Sequence, residues 1–349
     1  MDRISRITPP SEQARAEAHE RWNSIAKPLG SLGLLESQIE KIAAIQETPN
    51  VSLRMRGVVV MCADNGVVCE GVTQSDSKVT ALCAKAIADG KSNVNVMARQ
   101  FNAEVYPVDM GISREISHPR LWNKKIALGT RNIAEEPAMT REQAEQAICA
   151  GINTVRDLME ADYEILITGE MGIGNTTTAA ALASVLLNKP PRELTGRGAG
   201  LDSAGLERKI AVIEKAIKLH RPSADKPIDL LCKLGGFDIA GMVGMFLGGA
   251  FYGVPIVIDG VVSAAAACIA YKICEISREY MLPSHVSSEP AGRLLLEEMG
   301  LKAPITAELR LGEGTGGVLL LPLLDSALAV YEKAHKFDDL GIERYTKLK

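Results

Sequence analysis

The sequence predicts an α/β fold, a mostly parallel sheet with helices on both faces. Three observations carry this. Short apolar, β-branched runs alternate along the chain with longer helical segments, the pattern of strands joined by helical crossovers. The polar, glycine-bearing loops come after the apolar runs, where open parallel sheets bind ligands. Aromatic residues make up only 4% of the chain against 31 glycines, a composition suited to closely packed layers.

The elements follow in order. Residues 11–46 read as a helical hairpin: Leu35, Ile39, Ile42 and Ile45 recur at helical spacing. Its turn is Ala26-Lys27-Pro28-Leu29-Gly30-Ser31-Leu32-Gly33. Val58 to Ala63 is a continuous apolar run, as a strand buried on both faces requires, and it ends in the turn Asp64-Asn65-Gly66. Val79 to Ala88 reads as a helix. Glu104 to Asp109 reads as a strand, with Pro107 marking an edge or a strand end. Thr140 and Gln143 form a capping box before a helix over Arg141 to Met159. Ile165 to Thr168 is the next strand; a glycine loop and a helix over Ala179 to Leu187 follow. A second glycine loop, Thr195 to Asp202, precedes a helix from Ser203 to Leu219, with Asp202 as its N-cap. An uncharged helix beginning near Ile239 leads to the strand Pro255 to Asp259 and the helix Val261 to Ile276. Ser284 to Pro290 is a polar loop. Its histidine, His285, is assigned no catalytic role. Ala307 to Arg310 reads as a last short strand, and Val318 to His335 as the closing helix with Pro322 near its first turn.

Composition excludes several function classes. Charged residues are 23% and apolar residues 46% of the 349, so the chain is not disordered. A net charge of −4 offers no basic footprint for nucleic acid. The seven cysteines are odd in number and contain no CxxC, which argues against a disulfide framework or zinc ribbon and for a cytoplasmic setting. The polar N-terminus carries no signal-peptide pattern. Ile239 to Ile258 is uncharged and long enough to span a bilayer. Its many glycines, and its change to a β-branched run, favour a buried helix followed by a buried strand.

The chemistry concentrates in Ile165-Leu166-Ile167-Thr168-Gly169-Glu170-Met171-Gly172-Ile173-Gly174-Asn175-Thr176-Thr177-Thr178. A strand that feeds a glycine loop and then a helix start makes an anion cradle from backbone N–H groups and the helix dipole. No Lys-Ser/Thr pair makes it a Walker loop, and its glycine spacing does not fit dinucleotide binding. Glu170 is out of place beside an anion unless something cationic also binds. Taken alone, the loop also reads as a tight β–α turn with glycines for geometry. Together with Asp64, Asp259 and Glu313, it would put four carboxylates at one end of the sheet.

The chain resembles the nicotinate-nucleotide–dimethylbenzimidazole phosphoribosyltransferases almost end to end. The likeness rests on Lys27 to Gly33, Ala63 to Val67 with Glu70-Gly71-Val72, Gly129-Thr130-Arg131-Asn132 and Gly169 to Thr177. It continues through Gly198 to Asp202, Gly235-Gly236-Phe237-Asp238, Asp259-Gly260 and Gly312 to Gly316. The resemblance implies a Rossmann-like sheet domain over 51–324 and a small helical domain from 1–50 and 325–349. It implies a homodimer, or a heterodimer with a paralogous chain, and small-molecule substrates. It also implies transfer of phosphoribosyl from nicotinate mononucleotide to an aromatic base with inversion, for assembly of the cobamide nucleotide loop. No metal or cofactor is expected.

By that resemblance Glu313 is the general base and Glu170 sits near the ribose and pyridinium. Gly172, Gly174, Asn175, Thr176 and Lys209 serve the phosphate, and Asp259 and Ser287 contact the nucleotide. Asp76, Ala84 and Leu311 line the acceptor pocket. At 76 a serine can occur in the family, and at 84 a glutamine. The departure leaves the acceptor open among benzimidazole, purine and phenol. A second reading remains: a weakly active or non-catalytic nucleotide-binding partner subunit in a two-chain enzyme.

Overall fold

The computed structural model describes residues 4–345. Its strands are β1 (Arg56–Ala63), β2 (Ala103–Gly111), β3 (Trp122–Asn123), β4 (Ile165–Met171), β5 (Ile256–Ile258) and β6 (Met281–Pro283). The helices run α1 (Glu12–Ser24), α2 (Leu34–Ile45), α3 (Lys78–Ala88), α4 (Asn93–Gln100), α5 (Arg141–Met159), α6 (Asn175–Leu186) and α7 (Pro191–Leu194). They continue with α8 (Ser203–His220), α9 (Pro227–Leu234), α10 (Phe237–Tyr252), α11 (Val261–Ile273), α12 (Ala291–Glu298), α13 (Thr315–Lys333) and α14 (Phe337–Leu340).

The six strands form one sheet in the order β3-β2-β1-β4-β5-β6, and every pairing is parallel. The chain starts in the middle and winds outward in both directions, so the reversal point lies between β1 and β4. Two apolar cores cover the two faces. β1 divides its side chains by alternation: Val59, Met61 and Ala63 enter the core beneath α5, α6, α10 and α11. Val58, Val60 and Cys62 enter the core beneath α1–α4 and α13.

The uncharged stretch is the buried helix α10 followed by β5, as its glycines suggested. Those glycines let α10 lie against α5 with almost no side chain between them. A Cβ on Gly244 would overlap Ile148 O and lie 2.9 Å from Gly151 Cα. By length and composition α13 is apolar enough to cross a membrane, and half of that stretch is buried within the fold.

The N-terminal hairpin packs on α13. Trp22 meets Tyr331 at 4.9 Å between ring centroids. Glu36 explains its turn: it is buried, pairs with Lys27 at 2.6 Å and accepts Leu32 N at 2.9 Å. The division at 325 falls inside α13, and residues 1–3 and 346–349 lie outside the described residues.

Several elements differ from the sequence reading. β4 runs on through Met171, so Glu170 stands on a strand rather than in a loop, paired with Met61 of β1. The expected strand at Ala307–Arg310 does not form; its backbone instead accepts Ser288 N at Leu309 O (3.0 Å) as an irregular strap. α13 starts three residues early, so Pro322 lies two turns inside it. α11 stops at Ile273, and a 3₁₀ turn covers Glu275–Tyr280. At Pro107 β2 is locally an edge, because β3 pairs only with Val108 and Asp109. The helices α4, α9 and α12 and the strands β3 and β6 were not read from the sequence.

Candidate active site

The carboxyl ends of β4 and β5, the start of α6, the loop after β6 and the strap before α13 enclose a cavity of about 170 Å³. Glu170, Gly172, Asn175, Thr176, Asp259, Ser287 and Leu311 line it, together with His285 and Glu289. Seven of the residues expected at the site therefore meet there.

The β4–α6 turn is shaped by two glycines. A Cβ on Gly172 would sit 2.5 Å from Ala63 O and 2.6 Å from Asp238 Oδ2. Gly174 holds φ +94° at the N-cap of α6, a conformation other residues avoid. The turn delivers Asn175, whose amide donates one hydrogen to Glu170 Oε2 and the other to Asp238 Oδ2 (2.9 Å). Asp238 is fully buried, and its Oδ1 has no partner among the described residues. Burial pushes its carboxyl up to about 6. Burial also pushes Glu170 up to about 8, with Asp238, Asp259 and Glu313 adding to the shift and Asn175 opposing it.

At the other end of the cavity, Thr176 Oγ1 accepts from Lys209 Nζ at 2.9 Å, and Gly196 O accepts from it at 3.3 Å. Lys209 reaches this point from α8 and is fully buried. Among the described residues no carboxylate pairs with it within 4 Å, and burial lowers its ammonium to about 8. A sealed cation whose direct hydrogen-bond partners are neutral oxygens, with the Glu289 carboxylate acting on it only from beyond ion-pair distance, can take an anion. The second glycine loop covers it: a Cβ on Gly198 would lie 2.9 Å from Thr176 Oγ1 and 3.4 Å from Lys209 Nζ. Glu289, which the sequence reading missed, ties that loop down by accepting Gly198 N at 3.0 Å.

The remaining residues are placed as follows. Asp259 accepts Gly314 N and Gly317 N, both at 3.1 Å, and so caps α13 with a carboxylate. Ser287 Oγ accepts Glu289 N at 3.3 Å. Asp64 turns away from the cavity and accepts Ser113 N at 2.7 Å. Glu313 holds φ +61° between Gly312 and Gly314. A Cβ on Gly169 would lie 2.5 Å from Glu313 O, so the strap rests directly on β4. The Glu313 carboxylate lies on the opposite face of the sheet from Glu170, at the start of α4, where Oε2 accepts Val94 N at 3.3 Å. Burial raises its pKa, and hydrogen bonds from Val94 and Ser92 oppose the rise. Ala84 is fully buried on α3, Asp76 is exposed just before α3, and Leu311 is 53% exposed at the cavity. No cluster of three or more His, Cys, Asp or Glu able to hold a metal occurs among the described residues.

The family model described as Phosphoribosyltransferase matches residues 7–342. A nicotinate-nucleotide–dimethylbenzimidazole phosphoribosyltransferase from Ruminiclostridium cellulolyticum is 43% identical over 95% of this chain and 94% of its own. One of the same name from Roseiflexus is 42% identical over 97% of this chain and 96% of its own. The crystal structure of CobT from Thermus thermophilus superposes with a TM-score of 0.90 at 36% identity, covering 95% of this chain and 100% of that one. A cavity backed by a sealed cation and lined by carboxylates thus sits in a fold and sequence shared along nearly the whole chain with these proteins, and the chain belongs to the nicotinate-nucleotide–dimethylbenzimidazole phosphoribosyltransferase family.

Proposed function

We propose that the chain transfers the phosphoribosyl group of nicotinate mononucleotide to an aromatic base, releasing nicotinate and forming an α-glycosidic nucleotide for cobamide assembly. The observation that carries this is the charge pattern at one cavity: buried Lys209 behind Thr176 and Gly198, near Glu289, and Glu170 with Asp259 in the lining from β4 and β5. The donor has a matching pattern, a phosphate at C5′ and a pyridinium at C1′.

The C1′–N bond breaks and its electron pair leaves with nicotinate. The leaving group departs without needing a proton, so the absence of a general acid at the ring is no obstacle. Glu170 and Asp259 stabilise the positive charge that develops on the ribose. The acceptor forms the new bond at C1′ through the lone pair of its unprotonated ring nitrogen, or through a phenol oxygen, and Glu313 takes the proton that must be lost, from the other ring nitrogen or from the phenol hydroxyl. Glu170 and Glu313 occupy opposite faces of the sheet end, which supports attack and departure from opposite sides, hence inversion. Gly172, Gly174, Asn175 and Thr176 hold the phosphate end with Lys209, and Ser287 contacts the nucleotide. Asp76, Ala84 and Leu311 border the acceptor.

Leu311, exposed at the cavity mouth, favours a dimer in which a second chain, identical or paralogous, covers this edge. We read 1–50 with 325–349 as the small helical domain and the cytoplasm as the site of action.

The test is incubation with nicotinate mononucleotide and a panel of benzimidazoles, purines and phenols, following nicotinate release. Release with at least one acceptor is expected. No release from folded protein with any acceptor refutes the proposal. If Glu313→Gln leaves the activity of a complex with a paralogous chain unchanged, this chain is the non-catalytic partner instead.

A further inference from the structure

Ser284 and His285 directly follow β6, in the polar loop the sequence reading set aside. Ser284 Oγ lies 2.6 Å from Ile258 O and 2.9 Å from His285 Nδ1. A carbonyl oxygen cannot donate, so the single hydroxyl proton goes to Ile258 O. Toward His285 the same oxygen can then only accept. Nδ1 must carry a proton, and in the neutral ring Nε2 is left with a bare lone pair.

The surroundings keep the ring neutral and in place. His285 is 3% exposed, and burial lowers its pKa, with Asp259 opposing. The Nδ1–Cε1 edge packs against the start of α13, where a Cβ on Gly316 would overlap both atoms. Asp259 has its two oxygens on Gly314 N and Gly317 N. No protein group among the described residues hydrogen-bonds to Nε2, yet Nε2 is not among the sealed unpartnered atoms. The space it meets is the cavity that His285 lines with Glu170, Asp259 and Ser287.

We infer that Ser284 locks His285 as its Nδ1–H tautomer and that the bare Nε2 accepts a hydrogen bond from a pentose hydroxyl of the bound donor. The second half rests on the function proposed above; the first does not. His285 is a binding residue that checks for the hydroxyl, and Ser284 is a positioning residue that acts through it. A deoxy sugar would leave Nε2 unpaired in a closed site, so the pair discriminates ribosyl from deoxyribosyl donors.

Two measurements test this. In the full-length protein with ¹⁵N-labelled histidine, the Nε2 resonance of His285 falls in the unprotonated region at neutral pH and Nδ1 in the protonated region. Its assignment comes from its loss in His285→Gln. Ser284→Ala mixes the tautomers and moves both resonances toward the average. A protonated Nε2 in the wild type, or unchanged resonances in Ser284→Ala, overturns the lock. In the nicotinate-release assay the wild type favours the ribosyl donor over either its 2′-deoxy or its 3′-deoxy analogue by about tenfold in kcat/KM, the worth of one hydrogen bond in a closed site. His285→Ala abolishes that preference, and His285→Gln, whose side-chain oxygen can accept, restores part of it. Equal discrimination by wild type and His285→Ala overturns the hydroxyl contact. A wild type that releases no nicotinate from any donor refutes the proposed function instead, and leaves the tautomer measurement standing.

Discussion

Glu170→Gln isolates the electrostatics of the site. In the folded chain, burial raises the Glu170 carboxyl from 4.5 to about 8. Between those two values the folded state holds a proton that the unfolded chain has lost. Stability therefore falls as pH rises through that window: the contribution is whole below 4.5 and gone above about 8. At ~1.4 kcal/mol per tenfold, the ceiling on this loss is about 5 kcal/mol. Glu170 lines the cavity and keeps some contact with water, so roughly half of that, about 2–3 kcal/mol, is expected. Glutamine keeps the shape and an acceptor for Asn175 but cannot ionise. Urea unfolding at intervals from pH 4.5 to 8.5 should therefore show the wild type losing about 2–3 kcal/mol more than the variant. Asp238, pushed up to about 6, titrates in both proteins; because it shares Asn175 with Glu170, the difference reads the coupled pair rather than Glu170 alone. The variant should lose about 10²–10³-fold in kcat for want of charge opposite the ribose. The donor's cationic ring favours the ionised form, so donor binding near pH 7 should release a proton in the wild type and none in the variant. Parallel stability curves, with no proton released by either protein, would refute the reasoning.

Three further outcomes follow from the same structure. Lys209→Met removes a sealed cation that has no carboxylate partner; donor KM should rise by roughly 10–100-fold, with urea stability unchanged or higher, and an unchanged KM would take Lys209 away from the phosphate. Glu313→Gln should lower kcat by about 10²–10⁴-fold while donor KM stays within a few-fold, and a wild-type kcat would remove Glu313 as base. Gly244→Ala forces a methyl into the α5–α10 contact, so it should cost about 3 kcal/mol or more in urea unfolding; a neutral result would mean the two helices can separate cheaply.

Much of the fold was legible because it is written locally. β1 from Val58, the first half of β4 and all of β5 are apolar runs, and α5 carries its own capping box, with Thr140 and Gln143 bonded reciprocally. β3 and β6, at two and three residues, are too short to show a period. α4 and α12 place buried Val94, Ala98, Leu295 and Leu296 among polar neighbours, a weak stripe that only the surrounding core turns into a helix. The segment expected as a strand at 307–310 lies beside the loop after β6 and makes only a bridge between His285 and Ile305 and the bond from Ser288 N to Leu309 O, too few for a ladder.

For the site, the sequence by itself marked the glycine loops, the odd carboxylate at 170, and Asp259 and Glu313 next to their glycines, because turn geometry and residue chemistry are properties of a few adjacent residues. Only the tertiary structure decided which of these meet. Sheet order brings Asn175 between Glu170 and Asp238, and α8 carries Lys209 under a loop from which it looks like an exposed helix lysine in one dimension. Strand alternation sends Glu170 to one face, and the left-handed backbone at Glu313 sends its carboxylate to the other. His285 was passed over because nothing beside it in the chain reveals Ile258, the distant carbonyl that takes the Ser284 proton and so sets the tautomer.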